Sequence, residues 1–172
     1  MHVVNRGNDR RTLFDAPDDY DEFLDLLDLV RTQYPVPLLA YALMPNHWHL
    51  LLWPRTSPSL SQFLHSLTMR HAARFRRSSD TVGGGHVYGS RFRSTVVRGA
   101  VQYLRTVRYI ETNPLRAQLV CRAEDWRWTS LSERLREPRR LGDGPVALPS
   151  VNEWVTFLNG KSTADSADND AL

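Results

Sequence analysis

One cysteine and one lysine stand among the 172 residues. Cys121 has no partner within the chain, which excludes an internal disulfide framework and a thiolate-rich zinc site and fits a reducing compartment. No stretch has the length and apolarity needed to span a bilayer. The opening Met-His-Val-Val-Asn-Arg also lacks an apolar leader, so a soluble, cytoplasmic protein with no membrane partner is expected. A phosphate-cradling glycine loop is missing too, because Gly83-Gly84-Gly85 is not followed by the Lys-Ser/Thr that such a loop requires. No internal repeat is visible.

Positive charge is abundant and unevenly placed. The net formal charge is only +3, but ten arginines fall between Arg55 and Arg108 against the single acid Asp80, a local balance of +9. Such clustering, more than a net total, marks a face for a polyanion. That arginine outnumbers lysine 21 to 1 carries no functional weight here.

The order of hydrophobic patterns predicts an α+β domain with an antiparallel sheet carrying helices. His2 to Arg6 reads as a β-branched strand followed by a turn at Gly7-Asn8-Asp9-Arg10. Asp15 is the expected cap of a helix in which Tyr20, Phe23, Leu24, Leu27 and Val30 share one face. Pro37–Leu43 and His47–Trp53 read as a hairpin joined by Met44-Pro45-Asn46. Ser57 or Ser59 is expected to cap a second helix with Leu60, Phe63, Leu64, Leu67 and Phe75 inward and Arg70, Arg74 and Arg77 outward. Ser78–Gly85 reads as a flexible loop. Arg91–Val97 reads as a strand with Arg91, Arg93 and Thr95 on one face. A third helix is expected from Gly99 until Pro114 forbids its continuation. Three segments follow: a main domain over 1–131, a covering extension over 132–159, and a disordered tail over 160–172.

Strand period two sends His47 and His49 to one face and Trp48, Leu50 and Leu52 to the other. Two neutral imidazoles on a rigid face can chelate a divalent ion. A His-x-His pair alone is equally compatible with an incidental pair in a sheet. The third helix adds context. Steps of roughly 100° place Ala100, Val101, Leu104 and Val107 on an apolar arc and Gln102, Arg105, Thr106, Tyr109 and Asn113 opposite it. Tyr103, at the margin of the arc, reads as a packing residue. Asn113, four residues after Tyr109, shares its face. In the resulting scheme Mg²⁺ or Mn²⁺ is held by His47 and His49, with Asn113 as candidate third ligand. Tyr109 then attacks a phosphodiester, and the metal, Arg105 or Arg108 favours its phenolate.

The segment Ala42-Leu-Met-Pro-Asn-His-Trp-His-Leu-Leu-Leu52 resembles the signature of the HUH tyrosine transposases, and the REP-associated tyrosine transposase branch is the best match. The resemblance continues in His2-Val-Val-Asn-Arg-Gly7, Gly89-Ser-Arg-Phe-Arg-Ser94 and Arg108-Tyr-Ile-Glu-Thr-Asn-Pro-Leu-Arg-Ala117, and covers residues 2–131. It implies a ferredoxin-like antiparallel sheet with flanking helices, His47 and His49 as metal ligands, and Asn113 at the position that completes coordination. It implies Tyr109 as the nucleophile that joins a 5′ end of single-stranded DNA through a phosphotyrosine and leaves a free 3′-OH. Hairpin-forming palindromes are the implied partners, and the enzyme is a monomer or a homodimer. Gln118 stands where glycine is frequent in relatives.

Arg91 and Arg93 on the strand, and Arg70 and Arg74 on the second helix, are candidate DNA phosphate contacts against the alternative of a solvated surface. Trp53 is a candidate base-stacking residue, whereas Trp48 fits core packing better. Two other functions share the fold: a domesticated, non-catalytic DNA-binding regulator, and a replication or mobilisation nickase. The short chain, without helicase or primase segments, disfavours the nickase.

Overall fold

The computed structural model describes residues 1–78, 85–137 and 139–160. The expected loop after Ser78 and the expected tail after Gly160 fall, at 79–84 and 161–172, outside the described residues.

Alternating side chains in His2–Arg6 (β1) and His47–Leu52 (β3) pair antiparallel, with Val4 opposite His49 and Arg6 opposite His47. Leu38–Met44 (β2) closes a hairpin on β3 through Pro45 and Asn46, and places Ala42 opposite His49. Arg93–Thr95 (β4) pairs with the other edge of β1, giving the antiparallel order β2-β3-β1-β4. Helix α1 (Pro17–Gln33) links β1 to β2, and helix α2 (Ser57–Ser78) links β3 to β4. This β-α-β-β-α-β order is the ferredoxin-like arrangement.

The period of two sorts the sheet into two cores. On one side Val3, Tyr41, Leu43, Trp48, Leu50 and Leu52 meet Phe23 and Leu27 of α1 and Phe63, Leu64 and Leu67 of α2. On the other, Ala40, Ala42 and Leu51 meet Tyr103, Val107 and Ile110 of helix α3 (Gly99–Glu111), with Leu131 of α5 (Ser130–Arg136) and Trp154 and Leu158 of α6 (Val151–Asn159) completing the layer. The free edge of β2 is covered by the segment before α5: Leu43 N–H donates to the Trp128 carbonyl and Trp126 Nε1–H to the Leu43 carbonyl. An edge so covered no longer offers unpaired backbone groups.

Several local expectations are corrected. Residue Ala16, not Asp15, is the N-cap of α1, because the Asp19 carboxylate reaches back to accept from the backbone N–H groups of Asp15 and Ala16. The strand expected over Arg91–Val97 shrinks to Arg93–Thr95, which leaves Arg91 outside the ladder. The third helix ends at Glu111, and Pro114 opens a new turn of helix, α4 (Asn113–Arg116), in keeping with the tolerance of proline in a first turn. The buried face of α3 is also rotated from the expected arc. Val101 is 65% exposed, whereas Glu111 is fully buried.

Glu111 is buried because its partners converge on it. One carboxylate oxygen accepts from Ser130 Oγ at 2.6 Å and Arg134 Nε at 3.2 Å, and the other from Trp154 Nε1 at 2.6 Å. Arg134 also donates to the Leu39 carbonyl at 2.6 Å. One carboxylate thereby pins α3 to α5 and α6, and Arg134 extends the link to β2.

Candidate active site

The two histidines of β3 lie on the face that carries α3. Their rings meet edge to face, with centroids 4.9 Å apart. His49 is buried and His47 partly so. Burial holds the His47 imidazole down at about 4, with the Arg6 guanidinium on the paired residue of β1 pushing the same way. Burial likewise holds His49 well below its ordinary range, and the charge of His47, His2 and Arg6 adds to the effect. Both rings are therefore neutral near pH 7, the state that can donate a lone pair to a metal.

Each ring is fixed by a polar neighbour. His47 Nδ1 lies 2.7 Å from Asn46 Oδ1, an acceptor supplied by the hairpin turn. That turn is itself anchored, since Gly7 N–H donates to the Asn46 carbonyl and Leu13 N–H to that of Pro45. The Asn113 side chain, at the start of α4, neighbours His47 and partly offsets the lowering of its pKa. His49 Nδ1 lies 3.0 Å from His2 Nε2 on β1, and its Nε2 is buried with no hydrogen-bond partner.

Tyr109 completes the group. Its ring meets His49 edge-on at 5.6 Å, and it is partly buried at the margin of the second core, while Tyr103 is 4% exposed and packed within it. Tyr103 thus packs in the core, as its place at the margin of the apolar arc leads us to expect. A cation from α4 lies over the Tyr109 ring: Arg116 Cζ is 5.3 Å from the ring centroid. Arg108 lies instead over Phe157 of α6, at 4.9 Å, and Arg105 is exposed on α3.

Of the remaining arginines, Arg93 is exposed on β4 opposite Val4, and so on the histidine side of the sheet. Arg91 is exposed just before that strand. Arg70 and Arg74 belong to α2, beneath the opposite face, where they donate to Gln33 Oε1 and to the Glu22 carbonyl. The helix pair is thus separated from the histidines by the sheet, whereas Arg93 is not. Trp48 is fully buried on that opposite face, and Trp53 is 47% exposed.

A divalent ion is compatible with this donor set. A buried, unpartnered ring nitrogen is costly unless something accepts its lone pair, on the order of 1–3 kcal/mol. Among the described residues no three histidine, cysteine or carboxylate side chains form a metal-holding cluster. Among side chains of other types, the Asn113 amide neighbours His47. Three neighbours were not anticipated from the sequence: His2, Arg6 and Arg116. His2 and Arg6 lie four residues apart along a strand already recognised, but only the β1–β3 register shows that they flank the histidine pair.

The family model described as "Transposase IS200 like" matches residues 1–113. No curated protein sequence matches the chain. A similar fold occurs in a REP-associated tyrosine transposase solved bound to a REP hairpin, with a TM-score of 0.59 and 20% identity over 87% of either chain. A protein assigned as a transposase from Deinococcus radiodurans R1 is 23% identical over 64% of this chain and 87% of its own, with a TM-score of 0.46, a likeness too loose to inform the fold. Among the described residues no helix is long and apolar enough to cross a membrane.

Proposed function

Because the chain belongs to the IS200-like transposase family, we propose that it cleaves and rejoins single-stranded DNA through a covalent bond to Tyr109, with a divalent metal held by His47, His49 and Asn113. The observation that carries this reading is the meeting of the Tyr109 ring with His49, whose buried Nε2 has no partner, beside His47 and its neighbour Asn113.

Tyr109 Oη attacks phosphorus, and the bond from phosphorus to the 3′ oxygen breaks. The phenol proton passes to water, the departing 3′ oxygen takes up a proton, and the 5′ phosphate remains on tyrosine. A 3′-OH of an acceptor strand reverses the step and releases the enzyme, so no nucleotide hydrolysis is required. When bound, Mg²⁺ or Mn²⁺ supplies Lewis-acid polarisation of the phosphoryl oxygens. The protein supplies neutral donors in fixed orientation, through Asn46 on His47 and His2 on His49. The Arg116 guanidinium over the ring sets a positive charge beside the attacking phenol. Arg93 and Arg6, on the histidine side of the sheet, suit phosphates on either side of the scissile bond. Arg91 and Arg105 are proposed as outer phosphate contacts. Arg108, Arg70 and Arg74 are placed less directly, since Arg108 faces α6 and the other two lie beneath the sheet.

The transposase of similar fold was solved on a REP hairpin. We therefore take hairpin-forming palindromes as the DNA partner, the REP-associated branch as the subfamily and the cytoplasm as the compartment. The chemistry is the same for a monomer and for a homodimer.

The test is incubation with single-stranded oligonucleotides carrying palindromes from the flanking genome, with Mn²⁺, Mg²⁺ or chelator, followed by denaturing electrophoresis. Wild type should form a metal-dependent protein–DNA adduct, and Tyr109→Phe should form none. An adduct that survives in Tyr109→Phe would falsify the assignment of the nucleophile. If wild type forms no adduct with either metal but binds the hairpin, and His47→Ala binds it equally, the chain is a DNA-binding regulator instead. Such binding should weaken steeply with salt.

A further inference from the structure

His2 has no place in the scheme above beyond its contact with His49, yet it is buried where an apolar side chain would pack at lower cost. On β1 it sits opposite Leu51 and faces the second core, two residue pairs along from Val4 and His49. The two imidazoles stack at 5.3 Å between centroids with planes 17° apart, and His2 Nε2 lies 3.0 Å from His49 Nδ1. The edge of the same ring approaches Tyr109 at 6.0 Å. Each of the two residues is no more than 3% exposed.

A hydrogen bond between two neutral imidazoles needs one N–H and one lone pair, so it ties the tautomers of the two rings together. Two assignments are open. If His49 carries its proton on Nδ1, it donates to His2 Nε2, and its own Nε2 presents a lone pair. If it carries the proton on Nε2, that N–H is buried with no acceptor, because no protein atom partners His49 Nε2. Either assignment leaves Nε2 without a protein partner, but only the first leaves there a lone pair that a metal can take, so metal binding selects the first. With its Nε2 committed to His49, His2 has no lone pair left on that nitrogen to serve as a further ligand.

We propose that His2 is a positioning residue for metal binding: it accepts the Nδ1–H of His49, fixes the ring's orientation and tautomer, and so presents Nε2 of His49 to the ion. This rests on the reading of His47 and His49 as ligands. Partners of this kind behind metal-binding histidines are commonly worth 10- to 100-fold in affinity.

The test needs no DNA and no turnover. Mn²⁺ is titrated into the full-length chain by calorimetry, comparing wild type, His49→Ala, His2→Phe, which keeps a stacked ring but has no acceptor, and His2→Gln, which restores one. In parallel, nitrogen-15 spectra of the imidazoles in the metal-free protein report the tautomer of His49. His2→Phe should bind Mn²⁺ roughly 10- to 100-fold more weakly, His2→Gln should recover most of the loss, and His49 in wild type should be in the Nδ1–H form. Affinity within twofold of wild type in His2→Phe, no recovery in His2→Gln, or an Nε2–H tautomer in wild type overturns the proposal. Should His2→Phe fail to fold, the wild-type tautomer decides alone. If His49→Ala binds Mn²⁺ as wild type does, the ligand reading itself is what fails.

Discussion

At the scale of single residues, the site is a set of neutral side chains with cations at its margin. In the proposed mechanism Arg116, over the Tyr109 ring, sets a cation beside the attacking phenol. Replacing it with methionine keeps much of the packing and removes the charge. The rate of adduct formation should fall roughly tenfold, the scale of a partly desolvated cation–π contact, while Arg105→Met should leave the rate within twofold. Single-turnover gels with labelled oligonucleotide measure both. Buried histidines also predict an acid limit to stability. His71, on the α1 and α2 side, is held at about 4 chiefly by burial. An unfolded histidine titrates near 6.5. Between these values the unfolded chain binds the proton and the folded chain does not, so stability is complete above 6.5 and declines as pH falls toward 4. Melting temperatures measured from pH 7 to 4.5 should decrease, and His71→Gln should flatten the slope. A slope unchanged by that substitution would assign the acid sensitivity to other groups.

At the scale of elements, Glu111 decides where the tyrosine helix sits. Glu111→Ala leaves Arg134 and the Trp154 indole without their acceptor, and should cost about 3–5 kcal/mol in urea unfolding, the range for removing one partner of a buried charge pair. Amide exchange should accelerate in α3 and α6 before it does in β1 and β3. The turn after α4 makes a smaller prediction. Gln118 adopts φ +57°, a left-handed conformation that favours glycine, which is the residue frequent there in relatives. Gln118→Gly should therefore be neutral or stabilise by up to about 1 kcal/mol. These two positions also show what the sequence does and does not disclose. Helices α1 and α2 and the β2–β3 hairpin were legible because their periodicity is long and regular, and the histidine pair because period two alone assigns both rings to one face. The orientation of α3 was not, because a carboxylate reads as solvent-facing until Ser130, Arg134 and Trp154 are known to surround it. His2 and Arg116 were missed for related reasons. The register that brings His2 to His49 spans 47 residues, and a proline taken as a stop conceals that the chain resumes a helical turn and carries Arg116 back over Tyr109.

At the scale of the whole molecule, a boundary at 131/132 falls inside α5 and separates Glu111 from Arg134 and Trp154. A fragment ending at 131 should lack cooperative unfolding, while one ending at 160 should melt like the full chain; scanning calorimetry separates the two. The extension is thus proposed as part of the fold that holds the tyrosine helix, not as an independent unit. The sheet has a further consequence, because its two faces hold different kinds of residue. Trp48, Leu50 and Leu52 sit against α1 and α2, and His47 and His49 sit against α3, although all five alternate along a single strand. The two sides pack into separate hydrophobic clusters, and substitutions at sites without shared partners combine additively. The chain therefore possesses an evolutionary firebreak: the α1 and α2 side is free to drift, repack or gain stability without disturbing the chemistry one residue away. An insertion of a single residue between Asn46 and His47 would breach it, turning the tryptophan toward α3 and the imidazoles into the oil.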